Sequence, residues 1–214
     1  MLMDSASRPA RARYLLAVCG TLALSACASK YSQIPARLDL QPYGRVALVT
    51  FAADNEHRAM SALATQRFAE ALLASQPGVE LLELTTSDSV LKALPPGTDP
   101  VVLAQALGRA KDIPAVFVGE LRVSGVKPRA RLGVSDVNLR ASVSAELSVR
   151  LLATRAGGTL WRSSSAASGT VGRVALAGGL PSVAIRDTDE AYGEVVSSLV
   201  RDVTGDLRPT WVKQ

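Results

Sequence analysis

The chain has 214 residues, of which 48% are hydrophobic, with 24 basic and 19 acidic side chains and two cysteines. A net charge of +5 is mild, and it does not indicate a nucleic-acid-binding protein, for which a strongly basic and clustered surface is expected. The length is sufficient for one ordinary domain with a hydrophobic core.

Residues 1–26 have the layout of a secretory signal peptide. Arg8, Arg11 and Arg13 precede an apolar core at residues 14–23, and small residues follow it. The apolar core is about half as long as a transmembrane helix requires. Loss of these 26 residues removes three arginines and one aspartate, which leaves a mature chain with a net charge of +3.

The four residues from Leu24 to Cys27 resemble the lipobox of bacterial lipoproteins. The resemblance implies cleavage before Cys27, a thioether-linked diacylglycerol on its sulfur and a third acyl chain on its amine. Two or more such chains make a stable membrane anchor. No aspartate follows the cysteine, which implies sorting to the periplasmic face of the outer membrane. Cys19 is a poor alternative because a valine precedes it, and a secreted protein with a chance cysteine is the other alternative.

Cys27 is the only cysteine of the predicted mature chain, so no intrachain disulfide can form and the fold must rest on its core. Residues 27–43 hold two prolines and show no hydrophobic period, which predicts a tether that follows the lipidated cysteine. Residues 44–214 are predicted to form a single domain.

The first part of this domain has a β-α-β pattern. The apolar, β-branched run 45–51 predicts a buried strand, and residues 79–84 predict a second one. Between them, residues 58–75 predict a helix that ends at a Gln-Pro-Gly sequence. The apolar stripe of this helix recurs every four residues, at Met60, Ala64, Phe68 and Leu72.

Two helices and a third strand are expected next. Residues 85–94 predict a short helix, and Asp99 followed by Pro100 is typical of the start of a longer helix, with aspartate as the N-cap. Residues 115–123 predict a strand.

The clearest period in the chain lies at residues 137–151, where apolar and polar residues alternate strictly. This alternation predicts a long antiparallel strand with one face exposed to water. A turn at residues 155–158 and a returning strand at residues 159–168 follow. Residues 171–185 show no firm period and are interpreted as an irregular loop or a short helix. The last helix is predicted from a capping box of Asp187 and Glu190 to about Asp206, and its inward residues are Ala191, Val195, Val196, Leu199, Val200 and Val203.

These elements predict an α/β fold, an α+β sandwich whose mixed, five-stranded sheet carries its helices mainly on one face. The apolar strand 45–51, the helix containing Phe68, and residues 104–108 before the strand at 115–120 resemble bacterial envelope lipoproteins with the TolB amino-terminal-like fold. The relatives of this kind are curli-secretion channel lipoproteins, exopolysaccharide-export lipoproteins and activators of penicillin-binding proteins. The resemblance rests on strand patterns and therefore indicates the fold better than the function.

No catalytic motif is found, so the chain is not expected to be an enzyme or to hold a metal or cofactor apart from the lipid on Cys27. His57 is the only histidine, which excludes a metal site built from several histidines, and it is interpreted as a loop residue. Asp54 and Glu56 follow the first strand, where α/β folds often bind ligands, but two isolated acids are also typical of a solvated turn. The acids at 187, 189 and 190 are explained by a helix start.

The candidate partner-binding residues are Lys127, Arg129 and Arg131, in a predicted loop at residues 124–133 between two strands. Three like charges in one hairpin could contact an anionic polymer, a lipid head group or an acidic protein. A loop that only keeps the protein in solution is the alternative.

Two functions remain open at this level. The first is an oligomeric scaffold or accessory of an envelope export or assembly machine, with envelope proteins as partners. The second is a regulatory module that activates a cell-wall synthase or another envelope enzyme. A tether of sixteen residues is short for crossing the periplasm, which favours the first.

Replacement Cys27→Ser tests the predicted anchor. The variant lacks the sulfur that would carry diacylglycerol, so it is expected to fold normally but to leave the membrane fraction. Fractionation of cells and circular dichroism of the released protein measure both effects. A variant that stays membrane-bound would contradict the prediction.

Overall fold

The computed structural model describes residues 31–132, 137–177, 180–185 and 188–213, with the side chains of residues 31–124, 142–170 and 191–213. The chain divides into two compact units, of which the larger is Ala36–Pro209. The smaller unit is described at residues 31–35 and 210–213. It contains an antiparallel ribbon of two strands, β1 (Tyr31–Ile34) and β8 (Thr210–Lys213).

The larger unit is built on a mixed sheet with the strand order β3-β2-β4-β5-β6-β7. Its strands are β2 (Arg45–Val49), β3 (Glu80–Leu84), β4 (Ala115–Leu132), β5 (Val137–Ala153), β6 (Thr159–Ala177) and β7 (Leu180–Ile185). Strand β2 pairs in parallel with β3 and β4, whereas the pairings from β4 to β7 are antiparallel. The predicted α/β fold with a mixed sheet is confirmed, and β7 adds a sixth strand to the five predicted ones.

Four α-helices belong to the part of the chain that the structure describes: α1 (Arg58–Ser75), α2 (Ser89–Ala93), α3 (Pro100–Lys111) and α4 (Thr188–Val203). The two longest, α1 and α4, pack on one face of the sheet, as predicted, and the shorter α2 and α3 cover part of the other face. All four residues of the predicted α1 stripe are buried, and so are all six inward residues predicted for α4.

The larger core lies between the sheet and helices α1 and α4. Four aromatic rings cross it in edge-to-face contacts, which aromatic pairs prefer over stacked sandwiches. The ring centroids are 5.4 Å apart for Phe51 and Phe68, 5.3 Å for Phe68 and Phe117, and 6.0 Å for Phe117 and Trp161. These three contacts connect the segment after β2, helix α1, β4 and β6. The aromatic rings therefore hold α1 on the sheet.

The smaller core lies under α3, on the opposite face of the sheet. Asp99 caps this helix as predicted, because its carboxylate accepts a hydrogen bond from the backbone N–H of Val101 at 2.8 Å. The buried Ala104 and Leu107 pack against residues of β4 and β5. A methyl group on Gly108 would lie 2.3 Å from Cβ of Thr154, so only glycine permits this close approach of helix and strand.

The predicted loop or short helix at residues 171–185 is wrong. Residues 172–177 continue β6, and they pair with β7 in the register Gly172 to Ile185 through Ala177 to Leu180. The segment forms strands because antiparallel pairing satisfies its backbone N–H and C=O groups. Its side chains are mostly small, so its sequence shows no hydrophobic period. The glycine pair between two apolar runs was the available signal, since such pairs are typical of hairpin turns.

Part of the segment predicted as a tether, residues 27–43, belongs to the folded larger unit. Leu38 and Leu40 belong to the larger core, and Leu40 is fully buried. Their position is fixed by the side chain of Gln76, which is 5% exposed. Its amide oxygen accepts from the N–H of Leu40 at 3.1 Å, and its amide nitrogen donates to the carbonyls of Leu38 and Leu207 at 3.0 and 2.8 Å. A single buried glutamine therefore joins both ends of the larger unit to the end of α1.

Replacement Gln76→Ala is expected to lower the free energy of unfolding by about 2–4 kcal/mol, because it leaves three buried backbone groups without partners. Urea unfolding followed by circular dichroism measures the loss. Gln66→Ala, which removes an exposed glutamine from helix α1, is the control and should change stability by less than about 0.5 kcal/mol. Equal losses in the two variants would contradict the role of Gln76.

Candidate functional site

The structure describes one of the two predicted sites, the basic segment at residues 124–133, over residues 124–132. Cys27 lies outside the described residues. Residues 124–132, predicted as a loop, are the second half of β4, and the prediction of a loop there was wrong. Apolar and basic residues alternate in this segment, and a period of two explains why it forms a strand. The proline at position 128 interrupts the pattern of strand-forming residues, which is why a loop was predicted.

The backbone register brings further basic residues beside the predicted ones. Arg129 of β4 lies opposite Arg140 of β5, and Arg140 lies opposite Arg173 of β6. Lys127 and Arg131 are two positions before and after Arg129 on the same strand. Sequence reasoning missed the row Arg129–Arg140–Arg173, because the pairing of strands that brings distant arginines together is not visible in local sequence.

A groove of about 360 Å³ lies on the face of the sheet opposite α1 and α4. It begins beside Pro100, where α3 stops covering the sheet, and extends over β4, β5 and β6. Ala52, Val118 and Gly119 supply apolar or small surface to it. The β5 residues that line the groove, Glu146, Ser148 and Arg150, face away from the larger core and are polar, as the strict alternation of that strand predicted.

One end of the groove carries three coupled charges. Arg122 donates to both carboxylate oxygens of Glu120, at 2.8 and 3.1 Å, and Glu146 lies opposite Arg122 in the register of β4 and β5. The hydrogen bond and charge of Glu120, with a smaller contribution from Glu146, raise the pKa of Arg122 above its ordinary value. All three are on the surface, so the pair orients the side chains but adds little stability.

The other end of the groove carries two arginines that have no acidic partner among the described residues. Arg150 of β5 and Arg162 of β6 lie directly opposite each other, and both line the groove. Neither forms an ion pair with any residue that the structure describes. Like charges directly opposite each other on neighbouring strands destabilise a sheet. An anion in the groove would relieve this repulsion.

The residues weighed for catalysis do not assemble into a site. His57 lies in a turn before α1, as predicted, but it is half-buried, and its Nδ1 has no hydrogen-bond partner among the described residues. Asp54 and Glu56 are exposed in the same turn. Within the described ranges no three His, Cys, Asp or Glu side chains lie close enough together to hold a metal ion. Asp187 lies outside the described residues.

The sheet has free strand edges in the described ranges. Strand β2 pairs with β4 only over Ala115–Phe117, and an isolated bridge joins Ala52 to Glu120. From Arg122 to Leu132, β4 therefore has a strand partner on its β5 side only. At the other side of the sheet, β7 pairs with β6 alone. Free edges of this kind present unpaired N–H and C=O groups to any further strand.

None of the helices described is both long and apolar enough to span a membrane.

Comparison with models of protein families finds no match, and comparison with curated proteins finds none either. Among solved structures, the chain aligns with the PelC dodecamer from Paraburkholderia phytofirmans at 17% identity and a TM-score of 0.42, over 84% of this chain and 96% of that one. A lipoprotein from Neisseria meningitidis aligns at 16% identity and a TM-score of 0.38, over 75% and 98%. The LpoB C-terminal domain from Salmonella enterica aligns at 14% identity and a TM-score of 0.33, over 69% and 90%.

Proposed function

We propose that the protein is a non-enzymatic lipoprotein, anchored through Cys27 at the periplasmic side of the outer membrane, that assembles into an oligomeric scaffold of an envelope export or assembly machine. The observation that carries the proposal is the pair of free strand edges on β4 and β7. The anchor supplies the membrane location, and the edges supply the contact between copies.

The two edges match each other in direction. Three antiparallel pairings separate β4 from β7, so the two strands run in opposite directions. Strand β7 of one copy can therefore add to β4 of the next copy as an antiparallel strand, a recognised mode of association through main-chain hydrogen bonds. A contact between two different surfaces of each copy repeats head to tail, and it closes into a ring when the rotation between neighbours permits.

A proline on each free edge limits how the edges can pair. Pro128 lies in β4 and Pro181 in β7, and prolines in sheets are confined to positions where the missing N–H faces an unpaired edge. The N–H groups of Ala130 and Val183, two residues further along, then also face the free edges. Pairing between copies would use such donors and avoid the prolines, which protects the edges from indiscriminate association.

The short tether supports this function over activation of a distant enzyme. Because Leu38 is already part of the larger core, only eight residues of sequence, 28–35, separate Cys27 from the larger unit, and Tyr31–Ile34 among them form β1. At about 3.3 Å per residue such a linker reaches less than 30 Å. The domain would stay close to its own membrane, where copies meet one another readily. A cell-wall synthase activator would need a longer arm.

The arginine row provides a second contact surface. Arg129, Arg140 and Arg173 follow one another across three strands, with Lys127 and Arg131 on the same strand as Arg129. Basic residues at paired positions of three neighbouring strands favour contact with an anionic partner, such as an acidic envelope protein or an anionic polymer.

Proline substitutions on the free edges test the assembly. Ala130→Pro and Val183→Pro each remove one donor from a free edge and leave the pairings within the hairpins intact, so both should fold but shift the full-length protein in detergent from a discrete oligomer toward monomer. Arg131→Pro is the control, since its N–H points toward β5 and its loss should lower the melting temperature. Light scattering after size exclusion measures the mass, and a native protein that is strictly monomeric would contradict the proposal.

A further inference from the structure

We infer that the groove over β4, β5 and β6 binds an acidic saccharide, with the oxyanion of the sugar between Arg150 and Arg162 and its hydroxyl groups toward Glu120 and Glu146. The inference rests on the charges and shape of the groove and is independent of how the protein assembles.

The basic end of the groove is suited to a single oxyanion. Arg150 and Arg162 are cross-strand neighbours, and directly opposite residues on antiparallel strands have Cβ atoms about 5 Å apart. Two guanidinium groups at this spacing can both donate to one carboxylate or phosphate, and planar guanidinium forks match such groups in bidentate geometry. Neither arginine is engaged by a carboxylate of the described chain, so their donors are available to a ligand.

The acidic end is suited to hydroxyl groups. Glu120 and Glu146 are acceptors, and each carboxylate offers more lone pairs than one arginine can use. Arg122 lies between them in the pairing of β4 and β5 and holds Glu120 in place through two hydrogen bonds. Ser148, which lies opposite Glu120, adds a hydroxyl that both donates and accepts. A ligand with one negative charge and several hydroxyl groups satisfies both ends.

The size and rigidity of the groove fit a sugar ring. A volume of about 360 Å³ lies at the lower end of the range for small-molecule sites. Pro100 and Val118 line the groove, and Val118 lies opposite Arg150, so apolar surface for the C–H face of a ring adjoins the basic end. Arg150 projects from β5, a strand paired on both sides at this level, so the site rests on a rigid support.

Titration of the full-length protein in detergent with glucuronate, glucose and inorganic phosphate, followed by calorimetry or NMR, tests the inference. Glucuronate is expected to bind, with glucose at least tenfold weaker for lack of the anion and phosphate at least tenfold weaker for lack of hydroxyl groups. The double replacement Arg150→Gln and Arg162→Gln should weaken glucuronate binding at least tenfold. Arg162→Lys, which keeps the charge but loses the planar fork, should give an intermediate loss.

The control is the double replacement Arg109→Gln and Arg155→Gln, which removes the same charge from two exposed positions outside the groove. It should bind glucuronate as the native protein does. Equal weakening in the control would show that only net charge matters and would overturn the inference. Phosphate binding as tight as glucuronate binding would overturn the saccharide assignment. No binding of glucuronate at about 10 mM, ten times the dissociation constant of a millimolar complex, would overturn the site.

Discussion

The register of strand β5 is the constraint on which both the core and the proposed sites depend. It pairs with β4 on one side and β6 on the other over nearly its whole length. Leu147, Val149 and Leu151 on one face are fully buried, whereas Glu146, Ser148 and Arg150 alternate with them on the other. A slip of one residue would expose the apolar set and bury the charged set, so burial fixes the register strongly. The groove charges are therefore positioned by the same alternation that builds the core.

The ends of the larger unit are held by a different kind of interaction. The segment around Leu38 and Leu40 has too few apolar residues to form an element of its own, and its backbone is satisfied by the Gln76 amide. The same amide binds the carbonyl of Leu207 near the end of the unit. A fully hydrogen-bonded buried amide stabilises the fold, because its removal would leave several backbone groups without hydrogen-bond partners. Because of this contact, the hydrophobic core begins at Leu38, only a few residues after the predicted lipid anchor at Cys27.

Several elements could be predicted from sequence because their information is local. The bounds of α1 follow from a stripe of one apolar residue in four and a Gln-Pro-Gly stop, and the face of β5 follows from strict alternation. The pairing of β6 with β7 was harder to predict. Residues 171–185 are rich in glycine and small side chains, so their sequence does not distinguish an apolar face from a polar face of a strand. The proline in β4 likewise concealed a period of two.

The candidate sites were harder to predict than the fold. Lys127, Arg129 and Arg131 were found because they are neighbours in sequence, but Arg140 and Arg173 join them only through strand register. The pair Arg150 and Arg162 was missed for the same reason, since a turn and two strand segments separate them along the chain. Free edges are a property of the complete sheet order, which no single stretch of sequence contains.

The central claim, that β7 of one copy pairs with β4 of the next, is tested most directly by disulfide trapping in the membrane. A cysteine at Val183 is combined with a cysteine at each position from 126 to 132 in turn. Within one copy, β4 and β7 are three strand spacings apart, about 14 Å, which is too far for a disulfide. The account predicts a ladder of cross-linked species that is strongest for one or two positions in β4. Absence of cross-linked species from every pair would contradict it.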